Sequence, residues 1–273
     1  MPGFLALALA DRRTQAFLDQ RTTGMAESQV NFENQNLLEA PLWIPSLADQ
    51  QSILTLMGAA EDSIFSLRRV IAKKLACKQG LMQQLLTGRS RFPGFSGSWP
   101  EVSLGDVLAV RHGKSQKAVA TPSGRFPILA TGGRIGWASS PLYSKPSVLI
   151  GRKGTIDRPQ YQATPFWTVD TLFYTEISAA VDPRYLYYTF LTVDWGSMNE
   201  ASGVPSLSSS RVEDVEIRLP GIAEQRTIRE ALDDADAEIE LLQRRLAKAR
   251  NIRQGMLQQL TARAHPQATE AAA

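Results

Sequence analysis

Apolar residues recur along two stretches of the chain at alternating spacings of four and three positions. They are Ile53, Met57, Ala60, Ile64, Leu67 and Ile71 in the first stretch, and Ile228, Leu232, Ala235, Ile239, Leu242 and Leu246 in the second. In an α-helix this spacing puts the apolar side chains on one narrow stripe, as in a coiled coil. The pattern therefore predicts two long helices whose seams are buried against each other, in a parallel or an antiparallel pair.

The two stretches are copies of one sequence. A shift of 175 positions aligns residues 47–85 with residues 222–260 without a gap, and 14 of the 39 aligned pairs are identical. Such self-similarity indicates an internal duplication. We predict one helix at 47–90 and a second at 221–264. Ser46 with Asp49 has the spacing of a capping box at the first helix, and Gly221 with Glu224 is a weaker version at the second.

Each copy also carries a glycine at the same place, Gly80 in the first and Gly255 in the second. A glycine inside a helix costs roughly 1 kcal/mol relative to alanine. Its presence in both copies favours two interpretations about equally. Either another segment packs closely against the helix at this point, or the helix loosens or ends there.

The region between the helices, residues 91–220, has a different pattern. Short β-like runs at 107–110, 127–130, 147–150 and 167–174 are interrupted by glycine and proline. A helix is predicted at 183–192, where Pro183 suits a first turn. We therefore predict an α+β fold in which a domain with an irregular, curved sheet is flanked by two long coiled-coil-like helices.

Residues 1–46 repeat, more faintly, the end of that central domain. Phe4-Leu5 matches Tyr185-Leu186, and LLEAPLWIPSL parallels VEDVEIRLPGI. About forty residues do not readily build an independent core. We interpret 1–46 as the remnant of the end of a first such domain, expected to lie against the rest of the protein or to be poorly ordered. Residues 265–273 are expected to form a disordered tail.

Composition indicates an ordinary globular protein, because 43% of the residues are hydrophobic. No apolar stretch approaches the roughly 18 residues that a membrane span requires. The single cysteine, Cys77, excludes an internal disulfide and fits a reducing cytosol, so a cytoplasmic location is expected. We expect Cys77 to serve in packing.

Charge is distributed unevenly within the central region. Residues 91–160 contain ten Lys and Arg against three Asp and Glu, whereas residues 161–220 contain three against eight. The basic residues of the first segment cluster in glycine-bearing loops, namely RHGKSQK, GGRIGW and IGRKGTI. Such loops let backbone N–H groups approach phosphates, and Arg can reach base edges. A single Lys or Arg is usually just solvated, but the cluster as a whole favours a nucleic-acid partner.

The chain lacks the residue patterns of the common catalytic sites. The spacing of a phosphate-binding GxxxxGK[ST] loop is absent, as are HExxH and paired CxxC motifs. His112 and His265 are isolated, and Cys77 has no obvious base nearby in the sequence. Residues 140–143, SPLY, lack the second proline of the loop with which adenine methyltransferases hold a flipped base. We predict no catalytic residue, no metal site and no cofactor.

Several sequence segments, taken together, resemble the specificity (S) subunit of type I restriction-modification systems. They are GSWPEVSLGDVL, TGGRIGW, VLIGRKGTID, FWTVDTLFY, VPSLSSSRVEDVEIRLP, IAEQRTI and KQGLMQQLLTGR. The resemblance covers residues 41–263 clearly and the N-terminus faintly. In that family, target recognition domains alternate with long conserved helices that pair as a spacer, and each domain recognises one half of a bipartite DNA site. The resemblance implies a target recognition domain at 91–220 and spacer helices at 47–90 and 221–264.

The resemblance also implies partners. They are double-stranded DNA, methyltransferase (M) subunits and restriction (R) subunits, with S-adenosylmethionine, ATP and Mg expected only on those subunits. The chain itself would be a non-catalytic DNA-recognition subunit. Since a full subunit carries a further recognition domain, this chain is either a fragment or a half-subunit that associates with another copy as a homodimer. The alternative is a decayed helical scaffold that no longer recognises DNA.

Candidate DNA contacts follow from positions within these motifs. The first set is Arg111, Lys114, Arg134, Arg152 and Lys153, and the second set, from VPSLSSSR, is Ser206, Ser208 and Arg211. Trp137 and Tyr143 are further candidates for touching bases. As aromatic residues in a small domain, they are more often part of the core.

Overall fold

The computed structural model describes residues 1–22 and 34–262. The predicted tail at 265–273 lies outside the described residues. The chain forms two compact units, one comprising Met1–Leu75 with Glu238–Ala273 and the other Ala76–Ala237. We call them the helical unit and the sheet unit.

Helices occur in both units. They are α1 (Pro2–Leu9), α2 (Arg12–Asp19), α3 (Asn34–Leu38), α4 (Leu47–Leu85), α5 (Leu104–Val107), α6 (Pro183–Phe190), α7 (Ser209–Glu213) and α8 (Ile222–Ala262). The first copy of the repeat coincides with α4, and the second lies within α8. No helix in the described part of the chain is long and apolar enough to cross a membrane.

The two long helices run antiparallel in the helical unit. Lys74 forms an ion pair of 2.7 Å with Glu238, and Arg253, further along α8, pairs with Glu61, earlier along α4. Of the predicted seam, this unit buries Ile53, Met57, Ile64, Ile71 and Ile239. The sheet unit buries Ile228 and Leu232 in its main core, and Leu67, Leu242 and Leu246 are half-buried.

Both helices continue through their repeated glycines. A Cβ atom added at Gly80 or at Gly255 would meet no described atom within 4 Å. The helices end only at Leu85 and Ala262. Neither close packing at the glycines nor a helix end there is found among the described residues, so these two predictions are wrong, and a loosening of the helix at the glycines stays a prediction. Cys77 on α4 is exposed, so the expected packing role is also wrong.

The starts of the long helices differ. At α4, Asp49 N donates to Ser46 Oγ at 3.2 Å, and Ser46 Oγ donates to Asp49 Oδ2 at 2.7 Å. Glu224, in the first turn of α8, does not turn back towards Gly221. It is buried and accepts hydrogen bonds from Arg91 at 2.7 Å and Trp99 Nε1 at 3.1 Å. The predicted second capping box is therefore wrong, because Glu224 pairs with residues that lie far from it in the sequence.

Strands of the sheet unit form three small sheets. The strands are β1 (Glu101–Ser103), β2 (Leu108–Arg111), β3 (Phe126–Ala130), β4 (Gly133–Ala138), β5 (Ser147–Gly151), β6 (Gln160–Gln162), β7 (Trp167–Thr168), β8 (Leu172–Ile177) and β9 (Glu216–Arg218). Their orders are β1-β9, β2-β8-β5-β6 and β4-β3-β7. All neighbouring strands are antiparallel except β3 and β7, which are parallel.

The strand predicted at 167–174 is in fact two strands. β7 joins the sheet of β3, whereas β8 joins the sheet of β2 and β5. Residues 169–171 separate them. The other predicted runs correspond to β2, β3 and β5, displaced by no more than one residue at either end, and the predicted helix at 183–192 corresponds to α6. β1, β4, β6 and β9 were not predicted, because they are short or rich in glycine and polar residues.

Helix α6 packs the core of the sheet unit against β5. Asp182 caps it by accepting hydrogen bonds from Arg184 N and Tyr185 N, and Pro183 occupies its first turn. Its Tyr185, Leu186 and Phe190 share a buried cluster with strand residues and with Ile228 and Leu232 of α8. The sheet unit is thus built from its helices and sheets together, as the predicted α+β class requires.

Residues 1–22 and 34–46 belong to the helical unit. Phe4 of α1 is buried with Ile53 and Met57 of α4, and its ring meets that of Trp43 edge-on at 6.2 Å. Met1 donates its ammonium hydrogen bond to Gln50 Oε1 at 2.8 Å. This part of the predicted remnant therefore lies against the long helices.

Candidate functional site

A cleft in the sheet unit brings together two separate predicted motifs. It is lined by Arg152 and Lys153 of IGRKGTI and by Ser206 and Ser208 of VPSLSSSR, together with His112, Phe173, Glu200, Leu207 and Ser209. Some fifty residues of sequence lie between the two motifs. Backbone hydrogen bonds hold them side by side, with Leu207 N donating to Arg152 O at 3.0 Å and Gly154 N donating to Pro205 O at 2.9 Å.

Two glycines make the basic turn at 152–153 possible. A Cβ atom at Gly151 would lie 2.1 Å from Thr155 O, so no side chain fits there. Gly154 has a φ of +87°, a conformation that L side chains rarely adopt. Arg152 N and Lys153 N both donate to Thr171 O, at 2.8 and 3.2 Å. This fixed backbone leaves Lys153 exposed and Arg152 half-buried.

The opposite wall of the cleft is held by Asn199. Its Oδ1 atom accepts hydrogen bonds from Ala201 N at 3.1 Å and from Ser206 N at 2.9 Å. Glu200 N donates to Ser206 O at 3.1 Å, and Glu200 Oε1 accepts from Ser208 Oγ at 3.1 Å. Asn199 and Glu200 were not predicted as site residues. The signal for Asn199 is its place before a Ser-Gly segment, where an Asn side chain commonly bonds the backbone of a turn.

Ser208 directly precedes α7, and Arg211 is the third residue of this short helix. Ser208 is the N-cap residue, and its Oγ atom accepts from Arg211 N at 3.2 Å. Since the same hydroxyl also donates to Glu200, Ser208 contributes chiefly to the shape of the cleft wall. The side chain of Arg211 is exposed in the last turn of α7.

Arg111, at the end of β2, is already paired. Its Nε atom donates to Glu176 Oε2 at 2.9 Å, and this hydrogen bond raises the pKa of the guanidinium above its ordinary value. Both side chains are largely exposed. A phosphate that approached Arg111 would compete with Glu176. Arg111 is therefore a weaker candidate than its sequence motif suggested.

Lys114 is presented by a loop that is fixed on β7. Lys114 N donates to Thr168 O at 2.8 Å, and Lys114 O accepts from Trp167 Nε1 at 2.9 Å. The contact is so close that a Cβ atom at Gly113 would lie 1.9 Å from Val169 O. The side chain of Lys114 itself is exposed.

The two aromatic candidates have different environments. Tyr143 packs against Phe166 and Tyr174, with ring centroids 6.0 and 5.2 Å away, and burial raises the pKa of its hydroxyl. Trp137 lies on the surface of β4, where the guanidinium of Arg134 stacks over its ring at 4.5 Å. Trp137 is exposed and Tyr143 is half-buried, so Trp137 is the more accessible of the two to a ligand.

The basic segment 91–160 and the acidic segment 161–220 share the same sheets. β8, from the acidic segment, lies between β2 and β5 of the basic one. Several acidic side chains bond within the unit, as when Glu213 accepts from Val110 N at 2.7 Å and Glu176 pairs with Arg111. The basic side chains of Lys114 and Lys153, in loops, and of Arg134, on β4, are exposed, and that of Arg152 is half-buried. The prediction that GGRIGW forms a loop is wrong, because most of it belongs to β4. Positive charge is therefore presented by two loops and one strand, and not by a separate half of the domain.

The cleft contains both groups that can hold a phosphate and one that opposes it. Arg152, Lys153 and serine hydroxyls line it, and such groups donate to phosphate oxygens. The carboxylate of Glu200 lines it too and accepts the hydrogen bond of the Ser208 hydroxyl. Across residues 1–22 and 34–262, the structure contains no group of three His, Cys, Asp or Glu side chains that could hold a metal ion.

Comparison with known proteins gives one family. Residues 97–251, more than half of the chain, match the family model described as the type I restriction modification DNA specificity domain. The fold is similar to the S subunit of a type I restriction-modification system from M. genitalium, with a TM-score of 0.68 and 17% identity over 93% of this chain and 71% of that one.

Two further solved structures are similar. A chain from a study of complex assembly and conformational transition of the type I R-M system has a TM-score of 0.62 and 20% identity over 94% of this chain and 70% of that one. The HsdS subunit from Thermoanaerobacter tengcongensis has a TM-score of 0.52 and 19% identity over 94% of this chain and 69% of that one. At these identities the likeness shows the fold, and the predicted fold class is confirmed.

Proposed function

Because the chain belongs to the family of type I restriction-modification DNA specificity domains, we propose that its sheet unit binds a specific sequence of double-stranded DNA. The family predicted from the sequence is thereby confirmed. The observation that supports the proposed activity most is the cleft at Arg152, Lys153 and Ser206. Its backbone is fixed before any ligand binds, so little ordering entropy opposes binding.

The residues have distinct roles in this proposal. Lys153 and Arg152 neutralise phosphates, and the hydroxyl of Ser206 donates to a phosphate oxygen. Lys114, in the loop after β2, and Arg134, on β4, extend the contact. Contacts of this kind set the orientation of the protein on the duplex, and base contacts then provide the sequence preference.

We further propose that the chain recognises one half of a bipartite site. The antiparallel pair of α4 and α8 then acts as the spacer, and the exposed faces of these helices bind methyltransferase and restriction subunits. The chain itself is a non-catalytic recognition subunit. S-adenosylmethionine, ATP and Mg act on the partner subunits.

A homodimer completes the proposal. The helical unit keeps Leu5 and Ile44 exposed, whereas Leu186 and Leu219, at the equivalent positions of the repeat, are buried, so these two positions are suited to being covered by a protein partner. We propose that a second copy of the chain binds through the helices. Light scattering at micromolar concentration measures the mass, and a monomer would contradict this part.

Salt-dependent DNA binding tests the main proposal. The double variant Arg152→Ala/Lys153→Ala should bind duplex DNA more weakly. Its plot of log affinity against log salt should be flatter by about 0.9 for each phosphate that the variant no longer neutralises. Arg218→Ala, an exposed arginine on β9, is the matched control and should keep the wild-type slope.

An unchanged slope in the double variant would show that the cleft is not the site of phosphate contacts. Absence of DNA binding by the wild type, with methyltransferase subunits still bound, would favour the decayed scaffold.

A further inference from the structure

The β3–β4 ribbon contains an irregularity beside the proposed DNA site. β4 lies at the end of its three-stranded sheet and pairs with β3. Ile128 is opposite Gly136, but the next residue of β3, Leu129, is opposite Arg134. Ile135 is therefore the extra residue of a β-bulge. Bulges often change the direction of a side chain next to a functional site.

The bulge changes which residues of β4 share a face. In a regular strand, residues three apart point to opposite faces. Here the extra residue brings Arg134 and Trp137 to the same face, where the guanidinium lies 4.5 Å from the ring centroid. Ile135 lies between them in sequence and is 57% exposed, and Trp137 is 37% exposed. An exposed isoleucine is thus the sequence neighbour of an arginine whose guanidinium contacts an aromatic ring of the same strand.

The end of β3 is bonded to β6 and approaches the basic turn of the cleft. Gln160 Nε2 donates to Ala130 O at 2.9 Å and to Thr131 O at 3.2 Å, at the end of β3. A Cβ atom at Gly154 would lie 4.0 Å from Thr131 Oγ1. The turn that leads into β4 therefore lies next to the loop of Arg152 and Lys153.

We propose that Ile135 determines specificity by contacting the C5-methyl group of a thymine in the major groove. This inference rests on the proposed binding of DNA by the sheet unit. The major groove admits a two-stranded β-ribbon, and thymine is the base that presents a methyl group there. Isoleucine has no hydrogen-bonding group, so it discriminates through apolar contact.

The neighbours of Ile135 argue against insertion between base pairs. Apolar wedges that kink DNA must enter the space between stacked bases. Arg134 and Trp137, which contact each other and flank Ile135 in the sequence, are both bulkier than it. Contact with a base edge needs no such insertion. Arg134, held by Trp137, lies ready to bind a phosphate or a guanine beside the thymine.

Replacing thymine by uracil tests the contact, because this change removes the methyl group alone. The full chain is first used to select bound duplexes from a random pool, and each thymine of the selected site is then replaced singly by deoxyuridine. One replacement should weaken binding of the wild type about three- to fivefold, the effect of removing one buried methyl group. The Ile135→Ala variant should bind the thymine and uracil duplexes equally.

Two control variants complete the experiment. Leu191→Ala, at another exposed apolar residue of the sheet unit, should keep the full penalty for uracil, and Ile135→Val should keep most of it. Equal penalties in the wild type and Ile135→Ala would overturn the inference. So would increased 2-aminopurine fluorescence that requires Ile135, because it would show insertion into the stack. A wild type that selects no sequence would instead overturn the proposed function.

Discussion

Gln50 in the helical unit and Gln225 in the sheet unit occupy equivalent positions of the repeat and form equivalent hydrogen bonds. Gln50 Oε1 accepts from the Met1 ammonium at 2.8 Å, and Gln225 Oε1 accepts from Asp182 N at 2.8 Å. Each donor directly precedes a short helix that begins with proline, α1 in one unit and α6 in the other. The duplication therefore extends from the long helices to these short ones, while the interpretation of residues 1–46 as the remnant of the end of a first such domain stays a prediction.

The two short helices differ in what covers them. Leu186 of α6 is fully buried, whereas its counterpart Leu5 of α1 is 44% exposed. Leu219, just before α8, is 8% exposed, whereas its counterpart Ile44 is 66% exposed. In the sheet unit, β5 packs on α6, and Val148 and Ile150 share its core. Within its described residues, the helical unit has no strand to do the same, so equivalent apolar positions remain open.

The units also differ in polar contacts along the long helices. In the sheet unit, the Tyr188 hydroxyl lies 2.7 Å from both Asp233 Oδ1 and Asp236 Oδ2. Because it has one proton, it donates a hydrogen bond to only one of these oxygens at a time. Arg184 and Lys78 supply further donors to these carboxylates. In the helical unit, the position of Tyr188 is taken by Leu7, which packs in an apolar cluster. Charged contacts thus join α6 to the long helices, while apolar contacts join α1.

The largest expected effect compares Leu186 with Leu5. Leu186→Ala should lower the free energy of unfolding by about 2–5 kcal/mol, because it leaves a cavity in a closed core. Leu5→Ala should cost less than about 1 kcal/mol, since much of that side chain is already in water. Urea unfolding followed by circular dichroism measures both. Leu186→Met, which nearly conserves volume, should cost less than about 1.5 kcal/mol. Similar costs for Leu5→Ala and Leu186→Ala would show that both helices are covered alike.

The next effect concerns Asp233 and pH. Burial acts to raise the pKa of Asp233, but hydrogen bonds from Tyr188 and Arg184 and the charges of Arg184 and Arg229 outweigh it and hold the pKa below its ordinary value. The ionised group therefore stabilises the fold above the unfolded-state pKa of about 3.9, and this contribution is lost as pH falls through the folded-state pKa.

Asp233→Asn should accordingly cost about 2–3 kcal/mol at pH 7, as expected for hydrogen bonds to a charged group. The difference from wild type should shrink below about pH 4. Unfolding titrations between neutral and acidic pH measure it. Asp234→Asn, at the exposed neighbour, should change little at any pH. A wild-type advantage over Asp233→Asn that stays constant into acid would contradict the assignment.

Helices are easier to predict than strands from the sequence of this chain, for a physical reason. The apolar period of α4 persists over many turns and is repeated in α8, so two copies indicate the same boundaries. β4 has no such period, because glycines and the bulge at Ile135 break the alternation. The run at 167–174 is apolar enough for one strand, but residues 169–171 divide it between two sheets.

The sequence predicts the candidate site only in part, for a similar reason. Glycine and arginine in one loop indicated where an anion could approach, and the exposed Lys153 fits that expectation. No sequence pattern indicates that Arg111 pairs with Glu176, because that contact depends on the register of β2 on β8, where Ala109 is opposite Glu176. The approach of Ser206 to Lys153 likewise depends on hydrogen bonds between distant segments.

The smallest expected effect compares two ion pairs that the repeat relates. Glu61 with Arg253 in the helical unit corresponds, under the shift of 175, to Asp236 with Lys78 in the sheet unit. The first pair is more exposed: the exposed side-chain fraction is 52% for Glu61 and 37% for Arg253, against 32% for Asp236 and 15% for Lys78.

Glu61→Gln should therefore lower the free energy of unfolding by only about 0.2–1 kcal/mol, and even this cost should vanish near 1 M salt. Asp236→Asn should cost more and keep its effect in salt, because Tyr188 and Arg184 also depend on that carboxylate. If urea titrations give both variants the same cost with the same dependence on salt, then Tyr188 and Arg184 of α6 do not strengthen the contact between Lys78 and Asp236.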